Sequence, residues 1–197
     1  MKPLNTLEKI IVSKSRIKLL QELFYLPGKM YYIRQLTRMT DEKINSIRRE
    51  LKNLDKSDLV NSEWRANKRF YWANKDNQLF EDILRIVLKT KGLGKNFIDK
   101  RHQVGKVKFA FMTYRLALNQ EEDDEKIDLF VVGKVVLPEL GVLVRAEEKR
   151  RDREINYTVM DKDEFQYRKE KNDPFLSEIL IQPKIMLIGQ EQDMITY

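Results

Sequence analysis

Apolar positions in the first third of the chain recur at helical spacing. A helix beginning near Arg16 is predicted to end at Pro27-Gly28, because the apolar residues between them lie three and four positions apart. After a short extended stretch, residues 33–39 have the same spacing over about two turns, which predicts a short second helix. A third helix is predicted from a longer apolar stripe, formed by Ile44, Ile47, Leu51 and Leu54.

The third helix carries candidate binding residues on its polar side. Thr40 or Asp41 is the expected N-cap. Arg can pair bidentately with guanine, Asn with adenine, and Lys with phosphate, so this side chemically suits the major groove of DNA. A solvated helix face is the alternative interpretation. The side comprises Asn45, Ser46, Arg49, Lys52 and Asn53, with Arg48 on its flank.

A β-hairpin with a basic tip is predicted after the third helix. Residues 60–64 and 69–73 alternate as two strands, and Arg65-Ala66-Asn67-Lys68 lies between them as a polar turn. Four aromatic residues could either pack on the helices or form a stacking platform for nucleic acid, and packing is the favoured prediction. These residues are Trp64, Phe70, Tyr71 and Trp72.

Composition and charge narrow the classes of function. The chain has 197 residues, 42% hydrophobic and 35% charged, with no cysteine and one histidine. Disulfide frameworks, thiolate zinc sites and histidine-rich metal sites are therefore excluded, and without a long apolar run we expect no membrane partner and a cytoplasmic location. Residues 1–92 carry 20 Lys+Arg against 11 Asp+Glu, a net charge of +9, whereas residues 93–197 have a net charge of −2. Together they give the total of +7. A basic first half favours a polyanionic partner.

Residues 16–74 resemble the winged-helix domains of bacterial and archaeal transcriptional regulators. The resemblance is carried by IRQLTRMTDEKINSIRRELKNLDKSDLV and by RANKRFYWAN. In such domains the third helix enters the major groove and the hairpin, or wing, touches the backbone or minor groove. The resemblance therefore implies double-stranded DNA as the partner and, since winged helices also bind proteins, leaves a protein-interaction module as an alternative. The implied DNA contacts are Asn45, Ser46, Arg49 and Lys52 on the helix, and Arg65, Lys68 and Arg69 on the wing.

The second half is predicted to be a small sheet covered by helices. An amphipathic helix at residues 79–91 precedes a domain boundary at Gly92 and Gly94, which gives domains 1–92 and 93–197 and an α+β fold class. Residues 121–125 and the charged run 147–154 are expected to be solvated. Strands are predicted at residues 107–112, 127–132 (ending at Gly133), 155–160 and 185–188, and helices at 140–148, 163–169 and 174–181.

Residues 106–190 resemble a minimal nucleotidyltransferase domain, through KIDLFVVG, REINYTVMDKDEF and DPFLSEILIQPKIMLIG. In active members a Gly-Ser turn cradles a triphosphate, and three carboxylates hold two Mg²⁺ ions. The resemblance places Tyr114 and Arg115 at the Gly-Ser positions, and Lys126 where the first carboxylate belongs. Asp128 remains, and Glu154 lies near the third position; Lys126 is expected to share a strand face with Asp128 and to pair with it. An inactive relative without metal or cofactor is therefore expected.

Together these observations predict a DNA-binding transcriptional regulator whose second half serves dimerisation, ligand sensing or partner binding. A homodimer is left open, and no effector is indicated. Two alternatives remain: an active nucleotidyltransferase of a toxin–antitoxin pair, with Asp128 and Glu154 as metal ligands, and a winged-helix protein-interaction scaffold.

Overall fold

Helices and two small sheets alternate along the chain in a computed structural model that describes residues 3–121, 123 and 125–196. The chain divides into two compact units, Met1–Lys91 (unit 1) and Gly92–Tyr197 (unit 2). Each unit combines helices with its own sheet, so the α+β class is confirmed. The elements of unit 1 are α1 (Pro3–Ile10), α2 (Lys14–Tyr25), β1 (Tyr31–Tyr32), α3 (Ile33–Thr40), α4 (Ile44–Lys56), β2 (Val60–Arg65), β3 (Lys68–Ala73) and α5 (Phe80–Thr90).

The core of unit 1 lies where α2 packs against α3, α4 and α5. The Ser13 side chain caps α2 by accepting a hydrogen bond from the Arg16 backbone N–H at 3.2 Å. The apolar stripe of α4 turns inward, and Ile47, Leu51 and Leu54 are at most 3% exposed. Burial of this stripe fixes which side of α4 is left for solvent.

The expected N-cap of the third helix is wrong. Thr40 is the last residue of α3, where its hydroxyl donates to the Leu36 carbonyl at 2.7 Å. Asp41 follows in the left-handed conformation, with φ of 52°, and α4 begins only at Ile44 after Lys43. Side chains that suit a cap also suit the end of the preceding helix, so residue type alone could not place this boundary.

The hairpin forms the antiparallel sheet of unit 1, with strand order β1-β3-β2. Cross-strand pairs run from Val60 opposite Ala73 to Arg65 opposite Lys68, which leaves a two-residue turn, Ala66-Asn67. Ala66 has φ of 51°, a left-handed conformation that favours glycine. The tip is therefore tighter than the four-residue turn predicted from the sequence.

Unit 2 is built on a four-stranded sheet with order β6-β5-β4-β7. The β5–β6 pair is parallel, and the other neighbours are antiparallel. The elements are α6 (Gly92–Asp99), α7 (Arg101–Val104), β4 (Gly105–Thr113), α8 (Tyr114–Ala117), β5 (Leu129–Val135), α9 (Leu137–Arg151), β6 (Tyr157–Met160), α10 (Lys162–Glu170), α11 (Pro174–Ile181), β7 (Lys184–Ile188) and α12 (Glu191–Thr196). The core of unit 2 combines Phe165 of α10 with buried side chains of the sheet, which include Phe109, Phe111, Phe130, Val132 and Met160.

Gly133 has a different role in unit 2 from the one predicted. Gly92 and Gly94 are buried within α6, which begins where unit 2 begins. Gly133 does not end its strand: β5 continues to Val135, and Gly133 has φ of 143° opposite a bulge in β4. A Cβ atom here would lie 2.4 Å from the Lys106 carbonyl oxygen, so close strand approach requires glycine.

Candidate functional sites

The polar side of α4 is open to solvent. Because Ile47, Leu51 and Leu54 are buried, the residues on the opposite side project outward. Ser46 is half-buried at the edge of this side. The exposed residues are those predicted to bind DNA: Asn45, Arg48, Arg49, Lys52 and Asn53.

Glu50 is a buried carboxylate on α4 that the sequence analysis missed. It accepts hydrogen bonds from Arg16 Nε at 2.8 Å and from the Ser13 hydroxyl at 3.0 Å. Burial opposes its ionisation, but the hydrogen bonds from Arg16 and Ser13 outweigh this, and the pKa of Glu50 falls below its ordinary 4.5. The start of α2 and the middle of α4 are therefore joined by an ion pair in which the carboxylate is buried and the guanidinium is partly exposed.

The three cations of the hairpin have different surroundings. Arg65 and Lys68 are exposed at the tip; Arg65 lies 3.3 Å from Glu63, and Lys68 Nζ lies 4.9 Å from the centre of the Tyr32 ring. Arg69 is half-buried and donates to the Ser62 hydroxyl at 2.6 Å. It also lies 3.2 Å from an Asp55 carboxylate oxygen on α4. Arg69 thus joins the hairpin to α4, a structural role that is separate from the DNA contact predicted for it.

A groove of about 310 Å³ lies between α4, the start of α3 and the hairpin. Four of its nine lining residues are cationic and the other five are neutral. Arg34 is one of the cations, and the sequence analysis missed it. Pairing of Tyr32 with Phe70 brings the start of α3 beside the hairpin, a long-range contact for which the sequence carried no local signal. The lining residues are Tyr32, Ile33, Arg34, Ile44, Arg48, Trp64, Asn67, Lys68 and Arg69.

The packing predicted for the hairpin aromatics is correct for one residue and wrong for another. Tyr71 is 6% exposed, within the core, but Trp64 is 68% exposed. Phe70 and Trp72 are half-buried. The difference follows from position along the strand, because Trp64 lies near the tip, beyond the core that covers Tyr71.

Asp128 in unit 2 is fully buried and faces two arginines. Arg115 Nη2 lies 2.9 Å from one carboxylate oxygen, and Arg153 Nη2 donates to the other at 2.8 Å. The Asn156 backbone N–H donates to the same oxygen as Arg153, at 3.2 Å. Burial raises the pKa of Asp128, and Arg153 and Arg115 act in the opposite direction.

The expected pair between Lys126 and Asp128 is wrong. Lys126 is exposed and lies 3.2 Å from Asp123, while Asp128 has the two arginines as partners. The reason is that β5 begins only at Leu129, so residues 126–128 do not alternate as strand residues do. Arg115, at the expected Ser position, also donates to the Lys126 carbonyl at 2.8 Å. This hydrogen bond holds the backbone at Lys126, just before β5, against α8.

The other two residues of the predicted transferase site, Tyr114 and Glu154, do not form a metal site with Asp128 in the described part of the chain. Tyr114 is the half-buried first residue of α8, and its backbone N–H donates to the Pro183 carbonyl at 3.0 Å. Glu154 is exposed, whereas Asp128 is buried. Within the described residues, no group of three or more His, Cys, Asp or Glu side chains is arranged to hold a metal ion. Of the predicted acidic run 121–125, Glu122 and Asp124 lie outside the described residues.

The charged run 147–154 is not solvated throughout, contrary to prediction. Glu147 is 1% exposed and accepts from Arg151 Nε at 2.6 Å and from the Leu93 backbone N–H at 2.9 Å. Arg151 in turn donates to the Leu116 carbonyl at 2.8 Å. Alternating charge therefore reflects a buried network here, because the oppositely charged residues four positions apart share one side of α9.

Comparisons with known proteins returned no matching family model, curated protein or solved structure. None of the helices in the described part of the chain combines the length and the apolar character needed to cross a bilayer.

Proposed function

We propose that unit 1 is a winged-helix module that binds double-stranded DNA and that the protein regulates transcription. The observation that carries the proposal is the continuity of the cationic surface. The exposed side of α4 and the groove beside the hairpin share Arg48, and the groove adds Arg34 and Lys68. A surface of this kind gains binding free energy when counterions leave the phosphates that it neutralises.

The two parts of this surface suit different tasks. Asn45, Arg49 and Asn53 lie on an exposed helix side and have the hydrogen-bonding groups that read base edges in the major groove. Arg65 and Lys68 at the hairpin tip suit phosphates, which carry no sequence information but set the position of the helix. Glu50 and Arg69 hold α4 relative to α2 and the hairpin, and thereby support both tasks.

For unit 2 we propose a nucleotidyltransferase-like domain that lacks transferase activity and serves sensing, dimerisation or partner binding. Both oxygens of Asp128 already face guanidinium groups, which supply the positive charge that Mg²⁺ would otherwise bring. A cation at this carboxylate would have to displace Arg115 or Arg153 from a buried position. The arrangement therefore favours a structural role for Asp128 over metal binding.

Fluorescence anisotropy with a short mixed-sequence duplex tests DNA binding. The variant Arg48→Ala/Lys68→Ala removes two exposed cations from the proposed surface. The logarithm of the affinity falls with the logarithm of the salt concentration with a slope of about 0.9 per phosphate contact. Two phosphate contacts therefore account for about a twelvefold loss of affinity between about 50 and 200 mM salt. We expect the double variant to bind more weakly than the wild type at low salt. Between about 50 and 200 mM salt, the factor by which its affinity falls should be about twelvefold smaller than the wild-type factor, per bound chain.

The matched control is Lys75→Ala/Lys89→Ala, which removes the same charge from exposed positions of unit 1 that do not line the groove. It should keep a salt slope closer to that of the wild type. Equal slopes for the wild type and both variants, or wild-type affinity that does not change with salt, would exclude this surface as the DNA contact.

A further inference from the structure

Trp64 lies on the core-facing side of the hairpin but beyond the core itself. Along this side of β2, Val60 is 2% exposed, Ser62 is half-buried and Trp64 is 68% exposed. The residue directly opposite Trp64 is Arg69, whose guanidinium is held by Asp55 of α4. The hairpin thus extends past the core, and its inner side faces the groove bounded by α4.

The groove combines an aromatic wall with cations. Lys68 already lies over the Tyr32 ring, at 4.9 Å from its centre, so Trp64 is the aromatic residue of the lining on which a second ring could stack. Ile33 and Ile44 supply apolar contact, and Arg48 supplies a further positive charge. The volume of the groove, about 310 Å³, is at the lower end of the volumes of ligand sites. It suits one planar ring system with an adjacent anionic group.

We propose that this groove accepts a single nucleobase that has left the base stack of bound DNA. Trp64 stacks on the base, and Arg48 and Lys68 contact the phosphates on either side. The proposal rests on the proposed function of unit 1 and adds to it a preference for DNA containing an unpaired base, since such a base leaves the stack most easily. Phosphate-only binding would give no such preference.

The chain has two tryptophans, which provides a direct assay. Trp72 pairs with Asn61 and lies on the other side of the hairpin from Trp64, so Trp72→Phe leaves Trp64 as the only emitter. Two duplexes with equal numbers of phosphates are compared: one fully paired, and one with a base placed opposite an abasic site. We expect the second duplex to bind at least about fivefold more tightly, which is the lower limit for the affinity gained from one stacked base. We also expect it to quench Trp64 emission.

Two variants of Trp64 separate stacking from folding. Trp64→Ala should remove the preference between the two duplexes, and Trp64→Phe, which keeps a ring, should retain part of it. Because Trp64 is 68% exposed, both variants should keep the wild-type circular dichroism spectrum. With Trp64→Ala, emission comes from Trp72 alone and should not change when DNA is added.

Equal binding of the two duplexes by the wild type, with Trp64 emission unchanged by either, would overturn the stacking proposal and leave DNA binding by unit 1 intact. Binding of neither duplex at low salt would overturn both proposals together. Quenching of Trp64 by both duplexes without a difference in affinity would also overturn it, because it places the tryptophan against DNA but not in a base-accepting groove.

Discussion

Replacing Glu50 by Gln tests whether its ion pair with Arg16 holds the proposed DNA-reading helix in place. The Glu50 side chain is 4% exposed and its partner Arg16 is 41% exposed, at a distance of 2.8 Å. Gln keeps an oxygen that can accept from Ser13, which donates to Glu50 at 3.0 Å, but it removes the negative charge. The variant therefore isolates the charge of Glu50 from its size.

The expected cost is about 2 kcal/mol at neutral pH. A hydrogen bond to a charged group contributes about 1.5–3 kcal/mol. Loss of one partner of a fully buried pair costs about 3–5 kcal/mol, but Arg16 regains water here, so the lower range applies. For a unit of this size, each kcal/mol changes the melting temperature by about 4–8 °C, so Glu50→Gln should lower the Tm of unit 1 by about 8–16 °C.

The cost should depend on pH in a direction set by the lowered pKa of Glu50. Its folded-state pKa lies below the ordinary value of 4.5, so its ionised form stabilises the fold above pH 4.5. This contribution disappears as pH falls through the folded-state pKa. Gln does not titrate, so the wild type and the variant should converge in stability in acid. Glu42, whose pKa is also lowered, titrates in both proteins and does not affect the difference.

Tryptophan fluorescence measures the effect, because both tryptophans lie in unit 1. Urea and thermal transitions of the wild type and Glu50→Gln are compared at pH 7 and near pH 3. Glu63→Gln is the matched control; Glu63 is 51% exposed beside Arg65, and its loss should cost less than about 1 kcal/mol. Equal stability at pH 7, or a difference that persists unchanged near pH 3, would refute the charge-based explanation.

Three further predictions concern the buried charges of unit 2 and the hairpin turn. Arg151→Met should lower the free energy of unfolding by about 3 kcal/mol, because it leaves Glu147 buried without its closest partner. The control Arg150→Met removes a half-exposed partner of the same carboxylate and should lower it by less than about 1 kcal/mol, with unfolding followed by circular dichroism. Millimolar Mg²⁺ should leave the Tm of the wild type unchanged, and a rise that Asp128→Ala abolishes would contradict the structural role of Asp128. Ala66→Gly should stabilise unit 1 by up to about 1 kcal/mol in the fluorescence transition because φ is 51° there, and a loss of stability would contradict the turn geometry.

Periodicity located most elements of the fold because burial imposes it. The apolar stripe of α4 and the alternation in β2 and β3 each follow from one side facing the core. Boundaries were less predictable where one residue type suits two conformations. Asp41 could cap either helix, and Gly133 could end a strand or, as found, allow two strands to approach closely.

The candidate sites were predictable only where local pattern determines them. The exposed side of α4 follows from its own stripe, so its residues could be named from the sequence. The partners of Asp128 come from α8 and from the segment after α9, and no spacing rule links Arg115 to Arg153. Likewise, Arg34 joins the groove through pairing of β1 with β3, a long-range contact that sequence separation conceals.

The paired arginines at Asp128 constrain how this unit could change over evolutionary time. Replacing either one alone leaves a buried carboxylate with one guanidinium partner instead of two, so a single-step intermediate folds less well than its parent. Conversely, losing Asp128 first leaves two guanidinium groups close together with no anion between them. Descendants that vary at any of these three positions are therefore expected to vary at all three.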